Sequence, residues 1–122
     1  MDSDGWDNCV PKPAEDQTAR IRQLNDLLRV DRLGGKLCVT HGICSLGTGV
    51  VPVIIEAVTQ FADFCPDNDP YGEHDFAALT VLGHRINWKI DYYNSAMTAA
   101  SSDPGDPSVT TRVLTIMLAS EY

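Results

Sequence analysis

Between Val51 and Cys65 the apolar residues Val51, Ile54, Ile55, Val58, Phe61, Ala62 and Cys65 fall on one helical stripe. A helix with a single apolar face has to bury that face against another layer. Pro52 suits its first turn, where no intrahelical donor is lost, and Pro66 ends it. Further along, Ile86, Trp88, Ile90 and Tyr92 alternate with Asn87, Lys89, Asp91 and Tyr93. That is the period of a strand with one face buried and one available for function. A helical period and a strand period in one short chain predict an α+β domain.

The remaining segments fill in the expectation. Phe76 to Leu82 and Arg85 to Tyr93 flank Gly83-His84, which predicts a hairpin with Gly at the first position of a type II′ turn. Glu15 to Val30 predicts a helix with Ile21, Leu24, Leu27 and Leu28 on its buried face. Asp26 follows Arg22 by one turn and supports the exposed side, and Gly34-Gly35 stops the helix. Leu37 to Ile43 predicts a strand carrying Leu37, Val39, His41 and Ile43 on one side, with His41 as a hydrogen-bonded core residue. Residues 94–107 form a surface loop. Asp106 as cap and Pro107 at the first position open a last helix through Val109, Val113, Leu114, Ile116, Met117 and Leu118, apolar on more than one side and so central. The expected fold is a small three-stranded antiparallel sheet with about three helices packed on one face. It forms a single domain over 15–122, behind a flexible acidic lead-in, 1–14, that holds Trp6.

A 43% apolar content is enough for a core in 122 residues, and no apolar run approaches the roughly 18 residues of a membrane helix. The opening Met1-Asp2-Ser3-Asp4 lacks the basic start and apolar stretch of a secretory signal, which predicts a cytoplasmic protein. The cysteines Cys9, Cys38, Cys44 and Cys65 form no C-x-x-C pair and read as reduced apolar fillers. Cys38-x-x-His41-x-x-Cys44 imitates a zinc pattern, but on a strand His41 would point away from both cysteines, so the three could not share one metal.

The net charge is −8, and residues 37–84 hold six acids and no Lys or Arg. A basic face for nucleic acid is therefore missing from the middle of the chain. The sign suits competition with nucleic acid for a basic protein, as well as plain solubility.

The loop PDNDPYGEHD gathers Asp67, Asn68, Asp69, Tyr71, Glu73, His74 and Asp75. Carboxylates this close repel unless a metal, a cationic partner, backbone amides or water offsets them. Asp67-x-Asp69-x-x-Gly72 copies the start of a calcium loop, but Tyr71 replaces an oxygen ligand and Ala78 stands where the closing Glu belongs. Asp67, Asp69 and Glu73 are thus weak metal candidates, and no cofactor is called for. The competing structural reading has Asp67 and Asn68 forming side-chain turns, Pro70 and Gly72 setting the geometry, and Asp75 pairing with Lys89 or Arg85 across the hairpin. The chain carries no nucleophile elbow, P-loop, dinucleotide fingerprint or H-E-x-x-H motif.

PDNDPYGEHDF (66–76), WKIDYY (88–93), DPSVTTRVLTIMLASEY (106–122) and RIRQLNDLLR (20–29) resemble a family of small bacterial proteins of unknown function found on plasmids and other mobile elements. The resemblance spans residues 16–122 and matches Asp67, Asp69, Tyr71, Glu73, His74, Asp75, Lys89, Asp91 and Arg112 to the family's polar positions. It implies no reaction. Small size, the acid-only stretch and this resemblance lead to one expectation. The chain is a binding module that inhibits a host defence nuclease, in the manner of anti-CRISPR or antirestriction proteins. Asp67, Asp69, Tyr71, Glu73, His74, Asp75, Lys89, Asp91, Tyr93 and Arg112 are the candidate partner-binding residues. The partner would be a basic protein surface, with no direct nucleic acid and no membrane. The alternative is a metal-assisted hydrolase or transferase using the same loop with Lys89, Asp91 and Arg112. A homodimer through the edge strand of the hairpin is a third expectation.

Overall fold

The computed structural model describes residues 13–122, with side chains from Gln17 onward. The acidic lead-in, with Trp6 and Cys9, lies outside the described residues apart from its last two positions. Helix α1 (Pro13–Asp31) is followed by strand β1 (Gly35–Val39), a one-turn helix α2 (His41–Cys44) and helix α3 (Val51–Gln60). Strands β2 (Phe76–Val81), β3 (His84–Asn94) and β4 (Thr110–Leu118) complete the sheet, and a 3-10 turn, Ala119–Glu121, closes the chain.

The sheet has four strands in the order β1-β4-β3-β2. β1 runs parallel to β4, and the other two pairings are antiparallel. The α+β class stands, but the three-stranded antiparallel sheet is overturned. The segment expected to form the last helix is β4, a central strand. Its alternate residues Arg112, Leu114 and Ile116 face the helices, while Val113 and Met117 on the other face are also buried. Burial on both faces removes the alternation that marks a strand and leaves an apolar run that reads equally well as a buried helix.

The core joins Leu28 of α1, Ile43 of α2, and Ile54 and Val58 of α3 to Ala77, Val81, Ile86, Trp88, Ile90, Leu114 and Ile116 of the sheet. The helices therefore share one sheet face. β1 is shorter than expected. Thr40 ends the extended stretch and caps α2, accepting a bond from the Ile43 amide at 3.4 Å. His41 is exposed rather than in the core. Cys38, Cys44 and Cys65 are exposed thiols, so they do not fill the core. α3 stops at Gln60, short of the expected Cys65, because Phe61 turns to an extended ψ of 129°. The hairpin lies where expected, but Leu82 and Gly83 both have positive φ, 50° and 83°, which marks a type I′ turn. Gly35 permits the close approach of β1. A Cβ there would stand 2.7 Å from the Arg112 carbonyl oxygen and 2.8 Å from a Leu28 methyl. No helix among the described residues is long and apolar enough to cross a membrane.

Candidate functional site: a loop held by a polar helix stripe

Helix α1 presents Arg22, Asn25, Asp26 and Arg29 at positions i, i+3, i+4 and i+7, a stripe with core-facing spacing but polar side chains. Asn25 is 0% exposed and Arg29 3%. Leu27, expected in the core, is instead exposed. A buried polar group must find partners or lose its hydration without compensation. Asn25 finds its partners in the loop between α3 and β2 and on the sheet, and Arg29 finds its partners at the end of α3.

Each residue of the stripe grips the loop or its surroundings. Arg22 donates to the Gly72 carbonyl at 2.8 Å. Asn25 donates to the Glu73 carbonyl at 3.0 Å and to the Tyr92 hydroxyl at 2.8 Å, and accepts from Arg112 Nε at 2.8 Å. The Tyr92 hydroxyl in turn donates to Glu73 Oε1 at 2.8 Å. Burial, the largest cause, holds the Tyr92 hydroxyl protonated far above its ordinary range. Arg112 completes the chain by donating to the Pro104 carbonyl, with its guanidinium 5.1 Å from the Tyr92 ring centre.

His74 is fixed from both sides. Asp26 meets its Nδ1 at 2.9 Å and Asp69 its Nε2 at 3.5 Å. Its ring stacks on Phe64 with 3.8 Å between centroids, and its backbone amide donates to Asp69 Oδ1 at 3.1 Å. His74 adopts a φ of 55°, a left-handed conformation that a bulky residue holds only when its surroundings impose it.

Arg29 serves the helix instead. It donates to the carbonyls of Val58, Thr59 and Phe61 at 3.0, 3.1 and 2.7 Å, covering the C-terminal end of α3 where carbonyls lack intrahelical partners. Its guanidinium lies over both the Phe64 and Trp88 rings, at 5.3 and 5.2 Å from their centroids.

The expected site residues therefore divide. Asp69, Glu73 and His74 are spent inside the fold, and Arg112, 1% exposed, is a buried strut on the helix side of the sheet. Lys89, Asp91 and Tyr93 lie on the opposite sheet face, where Lys89 pairs with Asp91 at 3.0 Å instead of with Asp75. Asp67 and Tyr71 remain outside; Tyr71 is 79% exposed. Asn68 makes the expected side-chain turn, accepting from the Cys65 amide at 2.9 Å. Among the described residues no three His, Cys, Asp or Glu side chains come together to hold a metal ion, so Asp67, Asp69 and Glu73 do not converge.

Asp75 is half-buried, and among the described residues no cation forms an ion pair with it. Burial, then the neighbouring Glu73, raises its carboxyl above the ordinary range. A raised folded value means the native state holds this proton more tightly than the unfolded chain. The resulting stabilisation is present below the unfolded value and is lost as pH rises through the folded one. Urea denaturation at a series of pH values is expected to show that loss in the native chain and a shallower one in Asp75→Asn. Equal slopes in the two would contradict this role.

Fold and site together define a small α+β domain built to hold a polar loop rigid. Residues 39–121 match the family described as a protein of unknown function (DUF3768), and the chain belongs to that family. No curated protein and no solved structure matches it. The matched region contains the loop, Tyr92 and Arg112, while the α1 stripe that grips them precedes it.

Proposed function

We propose that this chain is an acidic protein-binding module whose 66–75 loop docks on a basic surface of the kind that grips nucleic acid. That is the role of an inhibitor of a host defence nuclease carried on a mobile element. The observation that carries the reading is Tyr71, the most exposed large apolar side chain among the described residues at 79%, on a loop pinned from beneath. An exposed aromatic on a rigid support loses little conformational freedom on binding, which is how interface anchors gain affinity. Exposed Asp63 and Asp67 stand on the same segment, and nothing between residues 37 and 84 carries a Lys or Arg charge.

The hydrolase alternative draws less support. His74 is engaged structurally: Asp26 meets its Nδ1 at 2.9 Å, Asp69 lies 3.5 Å from its Nε2, and its ring stacks on Phe64. Lys89 and Asp91 lie across the sheet from Arg112.

The test compares pull-downs from host lysate, at low and high salt, by the native chain and by the double variant Asp67→Asn, Tyr71→Ala. These side chains are exposed, so stability should change by no more than about 0.5 kcal/mol. Asp69 and Glu73 are unsuitable targets because neutralising them also releases the loop. The expected result is a nucleic-acid-binding protein retained by the native chain, released by salt and lost by the variant. Capture indifferent to both salt and variant would overturn the reading.

A further inference from the structure

The two edges of the sheet are protected very differently. β1 is five residues long and carries Lys36, and short, charged edges resist pairing with other chains. β2 reads Phe-Ala-Ala-Leu-Thr-Val, with no charge and no proline. The amide of Ile90 donates to the Asp75 carbonyl at 2.8 Å, and this sets the phase of the ladder. In an antiparallel pair successive residues alternate in direction. Asp75, Ala77, Leu79 and Val81 therefore turn their backbone groups towards β3, while Phe76, Ala78 and Thr80 turn theirs outward. Among the described residues nothing pairs with these outward groups.

We propose that β2 is the interface of a twofold homodimer, in which two copies pair antiparallel across Ala78 and their sheets become one of eight strands. The edge is self-complementary. With Ala78 opposite Ala78 of the second copy, Phe76 falls opposite Thr80, and every outward N–H and C=O of the three residues meets a partner. The small side chain at the twofold axis lets the strands approach. In a chain of net charge −8, this neutral stretch is where two copies meet with little repulsion.

A strand edge alone falls short of the roughly 800 Å² per partner that a stable interface buries. The strand's two ends add apolar surface. At one end Tyr122, 75% exposed, packs against Phe76 with 5.5 Å between ring centroids. At the other Leu82, 64% exposed, is held in a left-handed turn position better suited to Asn or Gly. The same register brings Leu82 level with His74 of the second copy. This inference does not depend on what the 66–75 loop binds.

Sedimentation velocity from nanomolar to near-millimolar protein tests it, using the native chain, Ala78→Lys, Ala78→Glu and an equimolar mixture of the two variants. Both substitutions lie on an exposed edge, and circular dichroism melts report whether each variant is folded. The native chain is expected to sediment at twice the monomer mass. Each variant should weaken dimerisation by about tenfold or more through like charges at the axis, and the mixture should restore it by pairing Lys with Glu. A native monomer throughout the range, a dimer indifferent to either charge, or a mixture that stays monomeric would each overturn the proposal.

Discussion

Arg29→Ala is expected to cost about 3–5 kcal/mol of folding stability, the range for removing one member of a buried, partnered charge cluster. The substitution leaves the Val58, Thr59 and Phe61 carbonyls without their shared donor and uncovers one face of Trp88. Asp26 also loses its neighbour at 3.4 Å. For a domain of this size the change corresponds to a fall in Tm on the order of 15–20 °C. Arg29→Lys should recover only part, since an ammonium can replace Nη1 at the three carbonyls but not the broad planar cation over Phe64 and Trp88 or the second nitrogen that meets Asp26. Urea denaturation of the three proteins checks both statements. Full recovery by Lys would mean that charge alone matters and the planar cation over the rings does not.

Trp88→Ala is expected to cost a similar amount, about 3–5 kcal/mol, through lost apolar burial and the cavity left behind. Trp88 is 0% exposed, meets Phe61 and Phe64 edge-on at 6.1 Å, and carries the Arg29 guanidinium. Among the described residues its indole N–H has no hydrogen-bond partner, so Trp88→Phe gives up packing without orphaning a bond and should cost much less. Because Arg29 and Trp88 touch, their effects should not add. The double variant is expected to be less destabilised than the sum, by roughly 0.5–3 kcal/mol. Strict additivity would mean that the cation–π contact contributes nothing.

The hairpin was legible because β3 has one apolar and one polar face, so its alternation survives in the residue order. α3 was legible for the same reason at helical period. β4 was not, because a strand covered on both faces keeps no alternation. Its β-branched content, Thr110, Thr111, Val113, Thr115 and Ile116, was the remaining sign. That misreading also misplaced Arg112, whose position on a strand puts it under α1 and across the sheet from Lys89. The α1 contribution to the site was missed because only apolar residues were matched to a helical face. Arg22, Asn25, Asp26 and Arg29 keep the same spacing as a core stripe, and a polar stripe at that spacing signals a buried network. In the loop, the crowding of acids was visible. Which acids are consumed inside the fold was not, since Asp26 and Tyr92 lie far away in sequence and meet His74 and Glu73 only through the packing of α1 over the sheet.

The central claim is that the 66–75 loop is a rigid element held from α1. Amide hydrogen exchange tests it most directly. The amides of Asp69, Gly72 and His74 are bonded to Cys65, to the Asp69 carbonyl and to the Asp69 side chain, respectively. In the native chain they should be protected to an extent approaching that of the α1 amides, and in Arg112→Ala, which frees Asn25, they should exchange markedly faster. Exchange in the native chain as fast as that of an unstructured peptide would contradict the claim.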